Sequence, residues 1–178
     1  MERLPIVMKR DHLLNLPDYS LPEGFAVRPF APGDEGLWAD LKVFVDEFPH
    51  RDQALARFKS EFAPDLDTFS KRSLFLVNEA GQVIGSATAW YGDLLGEPMG
   101  RLHWVSIRPD YQGRGLAKPL LSEVLKLMAE YHSQVYLTSQ TTSFEAVNLY
   151  LQYGFKPVLQ YETCDRAWAL LEEKGVRL

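Results

Sequence analysis

Cysteine is almost absent from this chain, since Cys164 is the only one among 178 residues. A single cysteine excludes an internal disulfide and cannot build a metal site by itself. No neighbouring residue would activate its thiol, so we interpret Cys164 as a small apolar residue rather than a nucleophile. The four histidines are scattered without the spacing of metal ligands, and we therefore predict no metal site.

Long apolar runs and an excess of positive charge are also absent. No run of apolar residues approaches the ~18 that a membrane span needs. Charged residues interrupt the segment from Met1 to Leu16, which therefore lacks the apolar core of a signal peptide. The net charge of −5 disfavours nucleic acid as a partner. These absences predict a cytoplasmic protein that acts without a membrane and without nucleic acid.

Length and composition are those of one globular domain. A chain of 178 residues with 46% hydrophobic and 24% charged residues is long enough to bury a sizeable core. We place this domain at residues 25–178. Residues 1–24 contain Pro5, Pro17 and Pro22, which disfavour regular structure, so we predict an irregular N-terminal leader. The leader is expected either to lie over the domain or to contact the second subunit of a homodimer.

The most informative segment runs from Val105 to Lys118. It reads as a buried strand, a tight turn and the first turn of an amphipathic helix. A helix N-terminus of this kind presents unpaired backbone N–H groups and the positive end of the helix dipole, an arrangement that binds phosphate. Gly113 and Gly115 leave no side chain between the backbone and a ligand. The pattern favours a phosphate-binding loop over an ordinary strand-to-helix turn, which stays the alternative.

Positive charge and spacing further define this loop. Arg108, Arg114 and Lys118 gather there although the chain as a whole is acidic. A dinucleotide-binding fingerprint would need a third glycine where Lys118 stands, and the Gly-Lys-Ser/Thr of a P-loop is absent. The loop therefore differs from both of these common nucleotide-binding motifs.

Hydrophobic periodicity divides residues 25–178 into strands and helices, which predicts an α/β domain. Strands are predicted at 25–30, 73–77, 82–91, 101–107, 135–138 and 155–161, and helices at 34–48, 51–62, 116–128 and 143–153. Ser143 is the expected N-cap of the last of these helices. Loop 92–100 is expected to be flexible, and residues 166–173 fit either a helix or a final strand.

The spacing Gln112-x-x-Gly115-x-Ala117 resembles the Gln/Arg-x-x-Gly-x-Gly/Ala loop of the GNAT superfamily of N-acetyltransferases. Residues 144–155 are similar to a second segment of that family, Ala-x-x-Leu-Tyr-x-x-x-Gly-Phe, and the order of elements agrees. The resemblance covers residues 25–178. It implies the GNAT fold, a central mixed but mostly antiparallel twisted sheet of six to seven strands flanked by about four helices.

The resemblance also implies acetyl-CoA as co-substrate. Its diphosphate would bind the amides from Gly113 to Lys118, and its pantetheine would pair with the backbone of Val105 and Ile107. The implied cofactor-binding residues are Val105, Ser106, Ile107, Gln112, Gly113, Arg114, Gly115, Leu116, Ala117, Lys118 and Ser143. Ser143 stands where many members carry an asparagine and would reach less far.

Two residues are candidates for proton transfer. Tyr150 stands where the family places its general acid, and a phenol can protonate a departing thiolate. The carboxylate that members acting on histone lysines carry before the loop is replaced by Arg101. His103 instead matches one of the paired histidines of arylalkylamine N-acetyltransferases, so it is our candidate base. Glu97, or a water chain without a dedicated base, is the alternative.

The resemblance predicts transfer of an acetyl group from acetyl-CoA to a primary amine of a small molecule or peptide, by direct attack. The alternative function is a non-catalytic module with the same fold that binds acyl-CoA or acts as a scaffold. Trp90, Tyr91 and Trp104 lie on the two strands expected to face the acceptor. They would either line a pocket for an amine or belong to the core.

Overall fold

The computed structural model describes residues 1–178 and contains one seven-stranded sheet in the order β2-β3-β4-β5-β6-β1-β7. The strands are β1 (Pro5–Arg10), β2 (Ala26–Pro29), β3 (Ser73–Val77), β4 (Val83–Leu94), β5 (Glu97–Ile107), β6 (Val135–Gln140) and β7 (Lys156–Pro157). The helices are α1 (Glu35–Phe44), α2 (Arg51–Glu61), α3 (Leu66–Arg72), α4 (Ala117–Ala129), α5 (Phe144–Gln152) and α6 (Cys164–Glu172). Only β5 and β6 pair in parallel, which confirms the predicted mixed, mostly antiparallel sheet.

Two hydrophobic clusters cover opposite faces of the sheet. The larger one joins the sheet to α4 and α6, because α4 presents a continuous apolar stripe with Leu120, Val124 and Met128 at helical spacing. The smaller one is rich in aromatic residues and packs α1, α2 and α3 against β2 to β5, with Trp38 and Phe58 at its centre. Strand β5 contacts both clusters, the larger one through Leu102 and the smaller one through Trp104.

The N-terminal segment differs most from the prediction. Residues 1–24 were expected to be irregular, but Pro5–Arg10 forms β1, inserted between β6 and β7. The strand pairs antiparallel with β6 along its whole length, and Met8 also pairs with Pro157 of β7. Proline is compatible with this strand because Pro5 is its first residue. The apolar run that follows buries Ile6 and Met8 in the larger cluster, which outweighs the local signal for irregular structure.

Replacing Met8 by alanine is expected to lower the free energy of unfolding by about 2–5 kcal/mol, because the change leaves a cavity in a packed core. Met8 is 0% exposed, whereas Leu14 in the same segment is 69% exposed. The Leu14→Ala variant is the control and should stay within about 0.5 kcal/mol of the wild type. Urea unfolding followed by tryptophan fluorescence measures both. Equal midpoints for the two variants would contradict an integral β1.

Several element ends also differ from the prediction. Loop 92–100 is mostly strand, because β4 and β5 form a hairpin closed by Leu95 and Gly96, both with positive φ (53° and 88°). Residues 166–173 lie mainly in α6, since β1 occupies the sheet position that a final strand would take. β7 is only two residues long, and helix α3 was not predicted. The structure therefore has six helices rather than about four.

Candidate active site

The sheet separates at β5, and this separation creates the candidate site. β5 and β6 pair only at Gly100↔Val135 and Arg101↔Tyr136, so the later part of β5 has no partner on that side. On its other side the register with β4 shifts between Ser86 and Thr88. Trp104 occupies this bulge with φ 51°. The C-terminal part of β5 therefore offers free backbone groups to a ligand.

A cavity of about 610 Å³ lies beside this open strand edge. Its size and mostly apolar lining are typical of small-molecule sites. The residues predicted from the sequence that line it are Val105, Ser106, Ile107, Gln112, Gly113, Gly115, Leu116, Ala117, Lys118 and Tyr150. Four further lining residues were not predicted, because no sequence pattern points to them: Tyr19 and Ser20 from the N-terminal segment, and Val45 and Glu47 after α1. Strand, loop and α5 thus converge on one cavity.

The loop between β5 and α4 carries unpaired amides. Gly113 and Gly115 both have φ 73°, a left-handed conformation that favours glycine. The amides of residues 113–118 donate no hydrogen bond to another backbone carbonyl, and α4 has no side-chain N-cap. Because these donors lie at the positive end of a 13-residue helix, they form a place for an anion.

The positively charged side chains near the loop are not equivalent. Lys118 lines the cavity, and its ammonium lies 5.1 Å from the centre of the Tyr19 ring. Arg108 is engaged by Asp110 at 2.7 Å. Arg114 faces a separate smaller cleft. The structure therefore brings one of the three predicted cations to the cavity.

Ser143 does not line the cavity either. Its hydroxyl accepts a hydrogen bond from Gln140 Nε2 at 3.2 Å. Ser143 occupies the predicted N-cap position of α5, but its side chain makes no capping hydrogen bond to that helix. The turn of 3₁₀ helix at Thr141–Ser143 leads directly into α5, which orients the serine hydroxyl toward Gln140.

Tyr150 faces the cavity from α5 while most of its surface is buried. Its ring packs edge-on against Phe155, with 5.9 Å between centroids. Burial raises the pKa of the Tyr150 phenol to about 12, since the phenolate would be poorly solvated. The hydroxyl therefore keeps its proton at neutral pH and is available as a donor.

His103 lies outside the cavity lining, on the side of β5 that packs against α2. Its Nε2 pairs with the carboxylate of Glu61, the last residue of α2. Glu61 also accepts a hydrogen bond from Arg57 Nε at 2.9 Å and one from Trp104 Nε1 at 3.4 Å. The sequence analysis missed Glu61, because a glutamate at the end of a helix is indistinguishable from a surface residue.

The electrostatics of this pair favour a neutral imidazole beside an ionised carboxylate. Burial lowers the pKa of His103, although its hydrogen bond to Glu61 acts in the opposite direction. Burial would raise the pKa of Glu61, but the hydrogen bonds from His103 and Arg57 lower it below its usual range. A neutral imidazole that donates from Nε2 keeps Nδ1 as a proton acceptor.

The other candidates for the base lie elsewhere. Glu97 begins β5 opposite Leu94, at the hairpin end of the strand. Eight residues of strand separate Glu97 from Val105, which is roughly 25 Å. Arg101 Nη2 donates to Thr138 Oγ1 at 3.4 Å. Neither Glu97 nor Arg101 therefore supplies a carboxylate at the position on β5 where some members of the resembling family carry a glutamate.

The three aromatic residues on β4 and β5 have different positions. Trp90 and Trp104 belong to the aromatic cluster under α1 to α3. Trp104 packs edge-on against Trp38 at 5.4 Å between centroids. Tyr91 is exposed and stacks on Trp90. None of the three lines the cavity. Of the two alternatives from the sequence, an amine pocket or the core, Trp90 and Trp104 therefore fit the core.

The structure contains neither a cluster of metal-ligating side chains nor a membrane-spanning helix. No three or more His, Cys, Asp or Glu side chains lie close enough together to hold a metal ion. None of the helices combines the length and apolar character needed to cross a bilayer. Cys164 is buried, and its Sγ lies 3.3 Å from the carbonyl of Val158.

Fold and site together define an α/β domain with unpaired amides at a helix N-terminus, beside an open strand edge. The sequence model described as "Acetyltransferase (GNAT) family" matches residues 37–155. The chain therefore belongs to the GNAT family of acetyltransferases, whose members use acetyl-CoA.

Curated relatives agree with this family. The chain is 33% identical over 150 residues to mycothiol acetyltransferase of Streptomyces coelicolor, covering 80% of this chain and 46% of the relative. It is 31% identical over 149 residues to the protein of the same name from Pseudarthrobacter chlorophenolicus, covering 79% of this chain and 45% of that one. The chain thus spans about half the length of the curated relatives it matches.

Solved structures support the fold. A GCN5-related N-acetyltransferase from Sphaerobacter thermophilus superposes with a TM-score of 0.68 at 23% identity, over 86% of this chain and 48% of that one. A tandem GNAT protein from the clavulanic acid biosynthesis pathway superposes with a TM-score of 0.62 at 13% identity, over 86% of this chain and 50% of that one. At these identities the likeness concerns the fold alone.

Proposed function

We propose that this chain is an acetyl-CoA-dependent N-acetyltransferase domain that acts on a primary amine of a small molecule or peptide. The observation that carries the proposal is the presence of free loop amides and the Tyr150 hydroxyl in one cavity. Family membership supports acetyl-CoA as the donor. The names of the curated relatives make the acceptor of mycothiol acetyltransferases the first amine to test.

In this proposal the diphosphate of acetyl-CoA binds the amides of residues 113–118, with Lys118 contributing positive charge. The pantetheine runs along the open edge of β5 and hydrogen-bonds with the backbone of Val105 and Ile107, as an added strand would. This path leads the thioester toward Tyr150, because all these groups border the same cavity.

The proposed reaction is direct attack of a neutral amine on the thioester carbonyl. The nitrogen–carbon bond forms, and the tetrahedral intermediate then expels the CoA thiolate as the carbon–sulfur bond breaks. Tyr150 donates a proton to the sulfur, and His103 Nδ1 accepts the proton lost by the amine, either directly or through water. Glu61 keeps the imidazole oriented and leaves Nδ1 free to accept.

We further propose that the protein acts in the cytoplasm, because an unpaired cysteine is compatible with a reducing compartment. We also propose that it acts without a metal, without nucleic acid and without a membrane. The homodimer expected from the sequence stays a prediction.

A second candidate function is a non-catalytic module that binds acyl-CoA or serves as a scaffold. It is favoured by Arg101 at the position of the family's carboxylate and by the location of His103 outside the cavity lining. A free-thiol release assay with acetyl-CoA and a panel of amines separates the two functions, alongside calorimetry with acetyl-CoA. Thiol release that depends on the amine supports the enzyme. Binding without amine-dependent release supports the module, and absence of binding contradicts both the enzyme and the acyl-CoA-binding form.

Replacing His103 by glutamine is expected to remove the acidic limb of the pH–rate profile. In the wild type the rate should rise as the pH passes upward through the pKa of His103, because only the neutral imidazole accepts a proton. That pKa lies below the usual 6.5, so the limb should lie at acidic pH. The profile of kcat at saturating amine measures this effect, because kcat does not report the ionisation of the free amine.

His132→Gln is the matched control, since burial also lowers the pKa of His132 and this residue lies beside Arg72, away from the cavity. It should leave the limb in place. If the limb persists in His103→Gln, the base is water or another group.

A further inference from the structure

Lys42 is a fully buried lysine without a carboxylate partner. It lies on α1 and is 0% exposed. Its Nζ donates to Ser106 Oγ at 2.7 Å, to Ser86 Oγ at 2.8 Å and to the carbonyl of Trp104 at 3.1 Å. The indole ring of Trp104 also lies 5.5 Å from this ammonium. A buried ammonium held only by neutral groups destabilises a fold, so its position calls for an explanation.

The three contacts of Lys42 surround the bulge in β5. Ser86 and Ser106 are paired residues on one side of the register shift, and Trp104 is the residue with positive φ within it. The bulge frees the Trp104 carbonyl from the sheet ladder, and this carbonyl accepts from Lys42 and from Ser86 Oγ. Ser106 and its neighbour Val105 line the cavity. The lysine therefore links the inner side of the bulge to the cavity wall.

We propose that Lys42 is a positioning residue for acetyl transfer, whose amine holds the β5 bulge and fixes the cavity wall formed by Val105 and Ser106. This inference rests on the proposed function, in which that wall binds the pantetheine and thioester of acetyl-CoA. Lys42 itself does not line the cavity, so it acts through the strand it holds.

The electrostatic cost of Lys42 separates this role from ordinary packing. Burial lowers the pKa of Lys42 to about 7, although the charge of Glu47 acts in the opposite direction. A methionine of similar length would pack against Trp38 and Trp104 without that desolvation. The Trp104 carbonyl would still accept from Ser86 Oγ. A methionine at this position therefore separates the effect of the amine on the strand from the effect of the packed side chain.

The experiment compares Lys42→Met with Arg72→Met. We expect Lys42→Met to keep or raise the thermal unfolding midpoint, while its Kd for acetyl-CoA rises about tenfold and its kcat falls. Arg72 is a matched buried cation, since its Nε donates to the carbonyl of Ala89 at 2.6 Å and its Nη2 to that of Trp90 at 3.1 Å, away from the cavity. Arg72→Met should leave the Kd for acetyl-CoA unchanged.

Two variants of Ser86 test the link to the cavity wall without altering Lys42, because Ser86 binds the lysine but does not line the cavity. Ser86→Ala removes a hydrogen-bond partner of the lysine and should raise the Kd for acetyl-CoA. Ser86→Thr keeps a hydroxyl at this place and should restore most of the affinity. If Lys42→Met does not fold, equal Kd values for wild type, Ser86→Ala and Ser86→Thr would overturn the inference.

The outcomes distinguish the inference from the proposed function. If the wild type binds no acetyl-CoA, the proposed function fails. If the wild type binds and acetylates but Lys42→Met binds and turns over equally well, only the role of Lys42 is overturned. A lower unfolding midpoint with unchanged Kd in Lys42→Met assigns the lysine to packing and also overturns the inference.

Discussion

Replacing Tyr150 by phenylalanine should lower kcat about a hundredfold or more, while the affinity for acetyl-CoA stays nearly unchanged. The substitution keeps the ring that packs against Phe155 and removes only the hydroxyl. No hydrogen bond contributes to the pKa of the phenol, so the free energy of unfolding should change by about 1 kcal/mol or less. Steady-state kinetics, calorimetry and urea unfolding measure the three quantities.

The high pKa of Tyr150 is compatible with this role. Proton transfer from a phenol whose pKa is about 12 to an ordinary thiolate is unfavourable in free energy, because an unperturbed thiol has a pKa of about 8.5. The CoA thiolate would form in the same poorly solvated place, which raises its own affinity for a proton. Donation of a hydrogen bond as the carbon–sulfur bond breaks therefore stabilises the transition state.

Tyr153→Phe is the control for this prediction. Its hydroxyl is part of the structure, since it donates to the carbonyl of Lys118 at 2.7 Å and lies 2.9 Å from Ser122 Oγ. We expect its removal to cost about 1 kcal/mol of stability, with a much smaller loss of turnover than in Tyr150→Phe. Near-normal turnover in Tyr150→Phe would show that Tyr150 only packs.

Replacing Gly115 by aspartate should weaken acetyl-CoA binding about a hundredfold or more relative to Gly115→Asn. Like charges about 4 Å apart near a protein surface repel by about 4 kcal/mol, which corresponds to a factor of this size. A Cβ at Gly115 meets no atom within 4 Å, so both side chains fit. Aspartate and asparagine share one shape and both tolerate positive φ, so only the carboxylate distinguishes them.

Calorimetry with acetyl-CoA measures the difference between the two Gly115 variants. The gap should narrow as salt is raised, because the repulsion is screened. Gly175→Asp is the control outside the cavity, since this glycine also has positive φ (83°) and open space around it. It should bind acetyl-CoA like the wild type. Equal affinities for Gly115→Asp and Gly115→Asn would show that phosphate does not lie at this loop.

The features predicted best from the sequence are those encoded by neighbouring residues. The loop around Gly113 and Gly115 depends on a strand, a turn and a helix that follow one another directly, and the structure has these elements in place. Tyr150 belongs to a short segment with its own spacing, and it faces the same cavity. Local patterns of this kind survive folding because nearby residues determine the backbone conformation.

The features missed from the sequence depend on distant residues. His103 and Glu61 are 42 positions apart, and only the packing of α2 on β5 brings them together. Lys42 is buried by contacts with Ser86 and Ser106, at separations of 44 and 64 positions. The position of β1 depends on its pairing with β6 and β7 near the other end of the chain, which no local pattern reports.

The insertion of β1 between β6 and β7 has a consequence for folding. Leu4 donates its amide to Thr141 Oγ1, a partner 137 positions away, at the junction of β6 and α5. During synthesis β1 is therefore made long before β6 and stays unpaired until β6 is available. Its apolar residues can meanwhile pair with strands of other chains. Such distant pairing slows folding and gives the sheet a late closing step. Aggregation of nascent chains should thus be governed by this segment more than by the rest of the sheet.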